Sequence, residues 1–411
     1  MSRKEVTPFR IETNYAGVQI TFWLSNLAYA GFTAVFLSSK GFSDTQIGFT
    51  SSLLSSLAIA IQLFTSNYSD LHQHVPIKKI MTALILLAMV CGAVIMSLPL
   101  PIAMMTLVFS LGGAVQSANV GLMNAQFMQY ANAGIPVNFG WPRGIGSLIY
   151  AIAAYFLGIM LEKHSPSFLM PLFLVLAAIT IGVILIMPNV QEVGRRSASL
   201  YVQEKHSDRT TYGQMLKSNH VLVLFLLASV LLYFGQGPVM LFLIRVVQGA
   251  GGGGRELGIS MLLQSGIEMP AMLLTPWLMK KIKARYLLLF SFFMYVIKMI
   301  LLYRAQSMSV VYIAMVLSIF CYGLYGVCSA YFVNNIVRSG EKVRAQGLVI
   351  LCSSLGGILG NLLGGYIMDT AGLKPLLNIS WMIVLLSALM MLSCAIAQNM
   401  VERKAAGLPK N

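Results

Sequence analysis

Twelve stretches of this chain stay apolar for about twenty residues or more, and no other feature limits the fold so strongly. They lie at 15–38, 45–68, 77–98, 102–130, 142–163, 167–188, 219–245, 256–280, 285–305, 309–337, 345–368 and 375–400. In hydrocarbon every backbone N–H and C=O must be bonded within the protein, so runs of this length become helices. The chain is therefore expected to be an all-α integral membrane protein with twelve transmembrane helices. Composition agrees. Of 411 residues 57% are hydrophobic and 10% charged, against about 25% charged in soluble domains. Such a chain cannot cover a soluble surface, which excludes cytosolic enzymes, disordered regulators and DNA-binding modules. The connections are short except for residues 189–218, which are polar and divide the runs six and six. The expected organisation is a six-helix bundle over 1–190, a linker over 191–217 and a second six-helix bundle over 218–411.

The net charge of +15, from 28 Lys+Arg against 13 Asp+Glu, does not point to nucleic acid. Acids are missing from the apolar runs and bases sit in the loops, the pattern of a membrane protein. With the N-terminus in the cytoplasm, 21 bases fall on the inside, among them Lys78, Lys79, Arg143, Lys280, Lys281, Lys283 and Arg285. Six fall outside: Lys40, Lys163, Arg245, Arg255, Arg304 and Lys374. This bias predicts a multi-pass protein of the cell membrane with both termini and the middle loop cytoplasmic. No cleavable signal peptide is expected, because the first 14 residues are polar and the following run is too long for one. Cys91, Cys321, Cys328, Cys352 and Cys394 lie in apolar stretches without a C-x-x-C pair. They read as small packing residues.

The chain repeats itself at an offset of 210 residues. Gln46-Ile47-Gly48-Phe49 opens the second run and Glu256-Leu257-Gly258-Ile259 the eighth, while Thr65 meets Thr275. Each is followed by a basic cluster, Lys78-Lys79 in one half and Lys280 to Arg285 in the other. Two six-helix halves repeated in parallel match the major facilitator architecture.

Three segments resemble that family. Ser66–Lys79 resembles its signature loop between spans two and three, Gly-x-x-x-Asp-Arg-x-Gly-Arg-Arg. Asp70 and the closing basic pair are kept, while Ser66 and Leu71 replace the Gly and the Arg. Asn138-Phe139-Gly140-Trp141-Pro142-Arg143-Gly144-Ile145-Gly146-Ser147 resembles the Phe-Gly-x-x-Arg-x-x-Gly segment of the lactose-permease, oligosaccharide-symporter and phenylpropionate-permease groups. Glu268-Met269-Pro270-Ala271-Met272 resembles the Glu-Ile-Pro-x-Met segment of sugar efflux transporters. The resemblance implies the major facilitator fold of two pseudo-symmetric halves and a sugar-contacting role for Arg143. The sequence departs from lactose permease in two places. Asn124 and Gln126 stand where span four should carry an acid, and the proton-coupling His and Glu of span ten have no counterparts around Phe320 to Leu324.

Among the 13 acids only Glu268 lies mid-span, and Lys298 is the only base so placed. Each costs about 2.5–3.5 kcal/mol on insertion scales, so each needs a reason. Glu268 precedes Lys281 by 13 residues and Lys298 follows Arg285 by 13, which puts both about 20 Å above the same edge. They form either a proton-coupling switch, a static pair that fixes packing, or no contact. A carboxylate in low dielectric holds its proton more tightly and yields it when a cation approaches.

Asn26, Tyr29, Gln116, Asn119, Asn124, Gln126, Tyr233, Gln236, Tyr322, Tyr325, Tyr331, Asn334 and Asn335 lie on spans one, four, seven and ten, which line the cavity in this family. Amides and rings suit a neutral polyhydroxyl ligand; the bland reading is hydrogen bonding between helices. Arg143 either contacts substrate or anchors the inner membrane face. Asp70 reads as a gate or as a solvated loop charge. His72 and His74 lack further ligands for a metal. Gly356-Gly357-x-x-Gly360-Asn361-x-x-Gly364-Gly365 reads as a packing face, and Gly249–Gly254 as an outer-loop linker. No enzyme triad, nucleotide motif or cofactor site is visible.

The expected function is secondary transport of a small neutral polar solute, a sugar or oligosaccharide, by alternating access, as a symporter coupled to protons. The alternative of the same fold exports amphiphilic drugs or aromatic compounds; the 26 methionines would suit an adaptable pocket. A lipid-modifying enzyme would need a nucleophile or metal cluster near an interface. A receptor would have no use for a mid-span charge pair. The expected partners are the solute and the bilayer, not nucleic acid, and the chain is expected to be a monomer with no cofactor beyond the proton.

Overall fold

The computed structural model describes residues 7–72, 74–133, 135–138, 140–188, 212–338 and 341–405, without some side chains inside helices. Every described element is helical, and the chain divides into two compact units, Met1–Glu204 and Lys205–Asn411.

In the first unit, span one runs Pro8–Asn26, takes a π-helical turn at Leu27–Gly31, bends by 46° and continues as Thr33–Ser39. Span two is Asp44–Leu71, span three Ile77–Ser97, span four Ile102–Asn132 and span five Gly140–Lys163. Span six is a short 3-10 turn, Pro166–Phe168, leading into Leu169–Ile186. In the second unit a short helix, Tyr212–Ser218, precedes span seven, His220–Leu241 with Leu243–Gly249. Span eight is Gly254–Met279, span nine Ala284–Arg304, span eleven Lys342–Ala371 and span twelve Leu373–Ala405. Span ten is interrupted: Met308–Val316, a 3-10 turn Leu317–Ile319, then Tyr322–Ile336.

Among the described residues ten helices, or eleven with the bent pair of span one, are long and apolar enough to cross a membrane. Span eight, Gly254–Met279, occupies the eighth expected run; the side chains of Met269, Met272 and Leu273 within it fall outside the described set, so it does not enter that count. Large apolar side chains such as Phe64, Phe156, Val175 and Ile350 stand more than half exposed. This would be a liability in water and is the expected exterior in lipid.

The 210-residue repeat holds residue by residue. Spans one and seven both break at a phenylalanine, Phe32 (φ −116°, ψ 33°) and Phe242 (φ −97°, ψ 26°). Each is followed by a positive-φ glycine, Gly41 at 83° and Gly251 at 84°, a conformation that favours glycine. The Gly249–Gly254 segment expected as a linker is thus a tight turn joining two helices. Spans two and eight then start alike: Ser43 N–H donates to Gln46 Oε1 at 3.0 Å, and Gly253 N–H to Glu256 Oε2 at 2.7 Å. One turn on, Thr50 Oγ1 donates to the Gln46 carbonyl at 2.7 Å and Ser260 Oγ to the Glu256 carbonyl at 2.8 Å. Thr65 and Thr275, both buried, donate to the carbonyls of Ile61 and Ala271. The packing repeats too. Span one lies against five and six as seven does against eleven and twelve, and two meets four as eight meets ten.

The span-eleven glycines face span seven. A Cβ at Gly356 would overlap the Val230 carbonyl oxygen, one at Gly360 the Phe234 carbonyl oxygen, and one at Gly364 the Pro238 ring. Successive pairs are four residues apart on both helices, so this is one ladder of close backbone approach, as small-residue faces permit in lipid.

Candidate polar sites in the two units

In the second unit, Glu268 stands on a turn that its own sequence weakens. Pro270 has no N–H, so the Gly266 carbonyl loses its helical donor. Span ten closes against this turn because Gly323 has no side chain: a Cβ there would lie 2.5 Å from Ala271 Cβ and 3.4 Å from the Glu268 carbonyl oxygen. Two residues earlier span ten is broken at Cys321 (φ −85°, ψ −97°). The freed groups are satisfied locally. Ser291 Oγ on span nine donates to the Cys321 carbonyl at 2.8 Å. Lys298 Nζ, on the same helix and 2% exposed, donates to Ser318 Oγ at 2.8 Å. The ammonium also sits at the carbonyl end of the first half of span ten, where a helix dipole favours a cation.

No ion pair joins Glu268 to Lys298. The two act on each other through space, while the Glu268 carboxylate makes no hydrogen bond to any described residue. The static pair allowed by the depth count is therefore not formed; Ser318 takes the ammonium instead. Tyr233, Tyr295 and Cys321 share the field of this carboxylate, and Tyr322 acts in turn on Tyr233 and Tyr295. The Tyr295 hydroxyl is buried without a hydrogen-bond partner among the described residues. Tyr325 is buried, donates to Ser229 Oγ at 3.2 Å and meets Tyr233 edge-on at 5.7 Å. Spans seven to ten thus bring Tyr233, Glu268, Lys298, Tyr322 and Tyr325 together, with Tyr295 and Ser318 added.

Other expected residues fall elsewhere. Tyr331 and Asn334 lie about 9 and 14 Å further along span ten than Tyr325. Tyr331 is half exposed, and Asn334 Oδ1 accepts from Gln346 Nε2 at 3.3 Å. Gln236 is partly buried.

The first unit holds a second polar group. Trp23 Nε1 donates to Gln19 Oε1 at 2.9 Å, Gln19 Nε2 to Tyr15 Oη at 2.6 Å, and Tyr15 Oη to Asn124 Oδ1 at 3.3 Å. Tyr15, Gln19 and Trp23 recur every four residues on one face of span one, and Gly146 lets span five approach that face, a Cβ there lying 3.1 Å from Gln19 Cβ. Arg143, exposed, acts electrostatically on Tyr15. The motif around it is held by Glu12, whose Oε1 accepts from Asn138 N–H at 2.6 Å and Oε2 from Trp141 Nε1 at 2.7 Å. Phe139 lies outside the described residues. The sequence reading missed Tyr15, Gln19, Trp23 and Glu12; the four-residue spacing was the available signal.

Tyr29 is core. It is 1% exposed, donates to the Phe109 carbonyl at 3.0 Å and stacks on that ring. Asn119 is buried, donates to the Val115 carbonyl and leaves Oδ1 without a partner among the described residues. Gln116 is buried and donates to Ser25 Oγ at 2.8 Å. Gln126 is buried and Asn26 partly so. Asp70 lies in the last turn of span two, and its side chain is outside the described set.

Ser318 offers a direct test of the Lys298 anchor. Ser318→Ala leaves a buried ammonium one bond short and lowers stability by about 1–3 kcal/mol. Lys298→Met, which removes the charge and keeps the length, has a smaller effect. Thermal melts of the two purified variants check the order.

A family model described as the MFS_1 like family matches residues 27–379. No curated protein matches the sequence. Among solved structures, the nucleoside transporter NupG in a mutant form is 15% identical, with 95% of this chain and 98% of that chain covered and a TM-score of 0.75. A bacterial homologue of the human lysosomal transporter Spinster, inward-facing and unoccupied, is 12% identical over 96% and 98%, with a TM-score of 0.67. A bacterial homologue of the iron transporter ferroportin, inward-facing, is 16% identical over 94% and 99%, with a TM-score of 0.62. At these identities the likeness shows the fold alone.

Proposed function

The chain belongs to the MFS_1-like family, and from that premise we propose that it is a proton-coupled carrier of a small neutral polar solute. At the coarser level it is a membrane transporter of major facilitator type. The finer reading takes a sugar or oligosaccharide as the solute, alternating access as the mechanism and Glu268 as the proton-carrying group. Both termini are placed in the cytoplasm by the distribution of bases.

One observation carries the coupling. Glu268, the sole mid-span acid, faces Lys298 without pairing to it and makes no other side-chain bond among the described residues. A carboxyl so placed is open to gain or lose a proton, and its attraction to Lys298 differs between the two forms. It also lies where Pro270, Gly323 and the break of span ten loosen the regular backbone. Discontinuous helices at mid-membrane are where such transporters bind solute and coupling ions. Neutral solute fits the amides and rings that are not fully buried, Tyr233 and Tyr322 in one unit and Trp23 and Asn124 in the other, with Tyr325, Tyr15 and Gln19 buried behind them.

Thermal stabilisation of the detergent-purified protein tests the substrate class. The panel holds mono- and oligosaccharides, nucleosides, aromatic acids and cationic drugs. A solute that binds only the folded state at 100 times its Kd adds about 2.7 kcal/mol. The expected hit is a sugar, lost in Arg143→Ala. Stabilisation by amphiphilic cations alone would instead support the drug-exporting alternative.

A further inference from the structure

At the end of the second unit where span twelve finishes, a cleft of about 630 Å³ opens between spans eight, nine, ten and twelve. Its walls carry Lys280, Lys283, Arg285, Asn335, Gln398 and Glu402. Three cations thus line the cleft with a single carboxylate, and two of them share it. Lys283 Nζ reaches Glu402 Oε2 at 2.9 Å and Arg285 Nη1 reaches Oε1 at 2.6 Å, while Gln398 Nε2 donates to the same Oε1 at 3.2 Å. Lys280 makes no ion pair with a described residue.

Arg285 is the informative member. It is 6% exposed, and its Nε–H is buried with no hydrogen-bond partner among the described residues. A guanidinium withdrawn from water with an unused donor is expensive unless something fills that position. Span nine also begins here, at Ala284, and Lys283 and Ala284 both line the cleft, so the positive end of its dipole lies beside the same space. Several donors, two lysines and a helix start converge on a volume too large for a single carboxylate oxygen. That is the chemistry of a tetrahedral oxyanion with several acceptor oxygens.

We propose that this cleft binds a phosphate group, held by Lys280, Lys283 and Arg285, with Glu402 as the intramolecular competitor it displaces. The phosphate belongs either to a phospholipid headgroup or to a soluble phosphate ester. The site is separate from Glu268 and does not depend on the identity of the transported solute.

The test uses the full-length protein, purified in detergent and stripped of lipid. Its thermal midpoint is followed against inorganic phosphate, with chloride at matched ionic strength, and against phosphatidylglycerol, with diacylglycerol at equal mole fraction. Phosphate, phosphatidylglycerol or both are expected to raise the midpoint saturably, and chloride and diacylglycerol are not. Lys280→Gln and Lys283→Gln should each weaken the apparent affinity about tenfold, the scale of one charge-assisted hydrogen bond. Glu402→Gln should strengthen it, even though that variant loses its own ion pairs and melts lower without phosphate. A response to the lipid alone identifies a headgroup site; a response to free phosphate as well identifies a site for soluble esters. An equal shift with chloride, no shift with either phosphate source, or an affinity unchanged in both lysine variants would overturn the proposal.

Discussion

Glu268→Gln is expected to abolish solute accumulation driven by a pH gradient while leaving solute exchange across the membrane intact. One pH unit across a membrane is worth 1.36 kcal/mol per proton, which is about tenfold in concentration. A gradient of two units therefore lets a carrier moving one proton per solute concentrate it about 100-fold. Glutamine keeps the size and hydrogen-bonding reach of the side chain but cannot exchange a proton. With no other mid-span acid in the sequence, nothing remains to take over, and the variant should settle at equal concentrations on both sides. Lys298 stays bonded to Ser318 in that variant, so its folding should be close to normal. Accumulation in Glu268→Gln equal to the parent would remove Glu268 from the coupling mechanism.

The second large effect is structural. Gly360→Leu should fail to give a folded, monodisperse protein. The first side-chain carbon at this position would overlap the Phe234 carbonyl oxygen and lie 3.0 Å from both the carbonyl carbon and Cα of that residue. The obstacle is backbone, which no rotamer change can clear. Spans seven and eleven would have to separate, and the contact would be lost at Gly356 and Gly364 as well. Overpacking of this kind costs about 1–3 kcal/mol for a small addition and more for a large one. Gly360→Ala should therefore fold with a lowered melting temperature. Gly357 supplies the control: a Cβ there meets nothing within 4 Å, so Gly357→Ala should melt like the parent. Equal behaviour of Gly360→Ala and Gly357→Ala would show that the ladder contributes nothing.

The repeat was the most legible part of the fold. Two short matches at an offset of 210 anticipated a correspondence that extends to the helix breaks at Phe32 and Phe242 and to the positive-φ glycines Gly41 and Gly251. The glycine face of span eleven was legible for a similar reason, since spacing alone defines it. Lys298 was legible only in depth. Counting residues from a helix end fixes height along the axis but not the neighbour that meets the side chain, and Ser318 is presented by a break in span ten. That break carries no proline, so the run 309–337 reads as one continuous helix. In the first half, attention to amides found Asn124 but passed over Gln19, and with it the ladder Tyr15–Gln19–Trp23 that meets Asn124. Aromatic residues in apolar runs carry no polar signal by composition, and only the shared helix face connects them. Tyr29 shows the opposite error: a ring that looks suited to a ligand is bonded and stacked within the core.

Solute flux into liposomes holding the purified protein tests the central claim most directly. The solute is the best stabiliser from the panel, supplied with and without an imposed pH gradient. Saturable uptake is predicted, rising above the external concentration only while the gradient lasts and collapsing when a protonophore is added. A solute that binds the protein yet enters these vesicles no faster than protein-free ones would contradict the account.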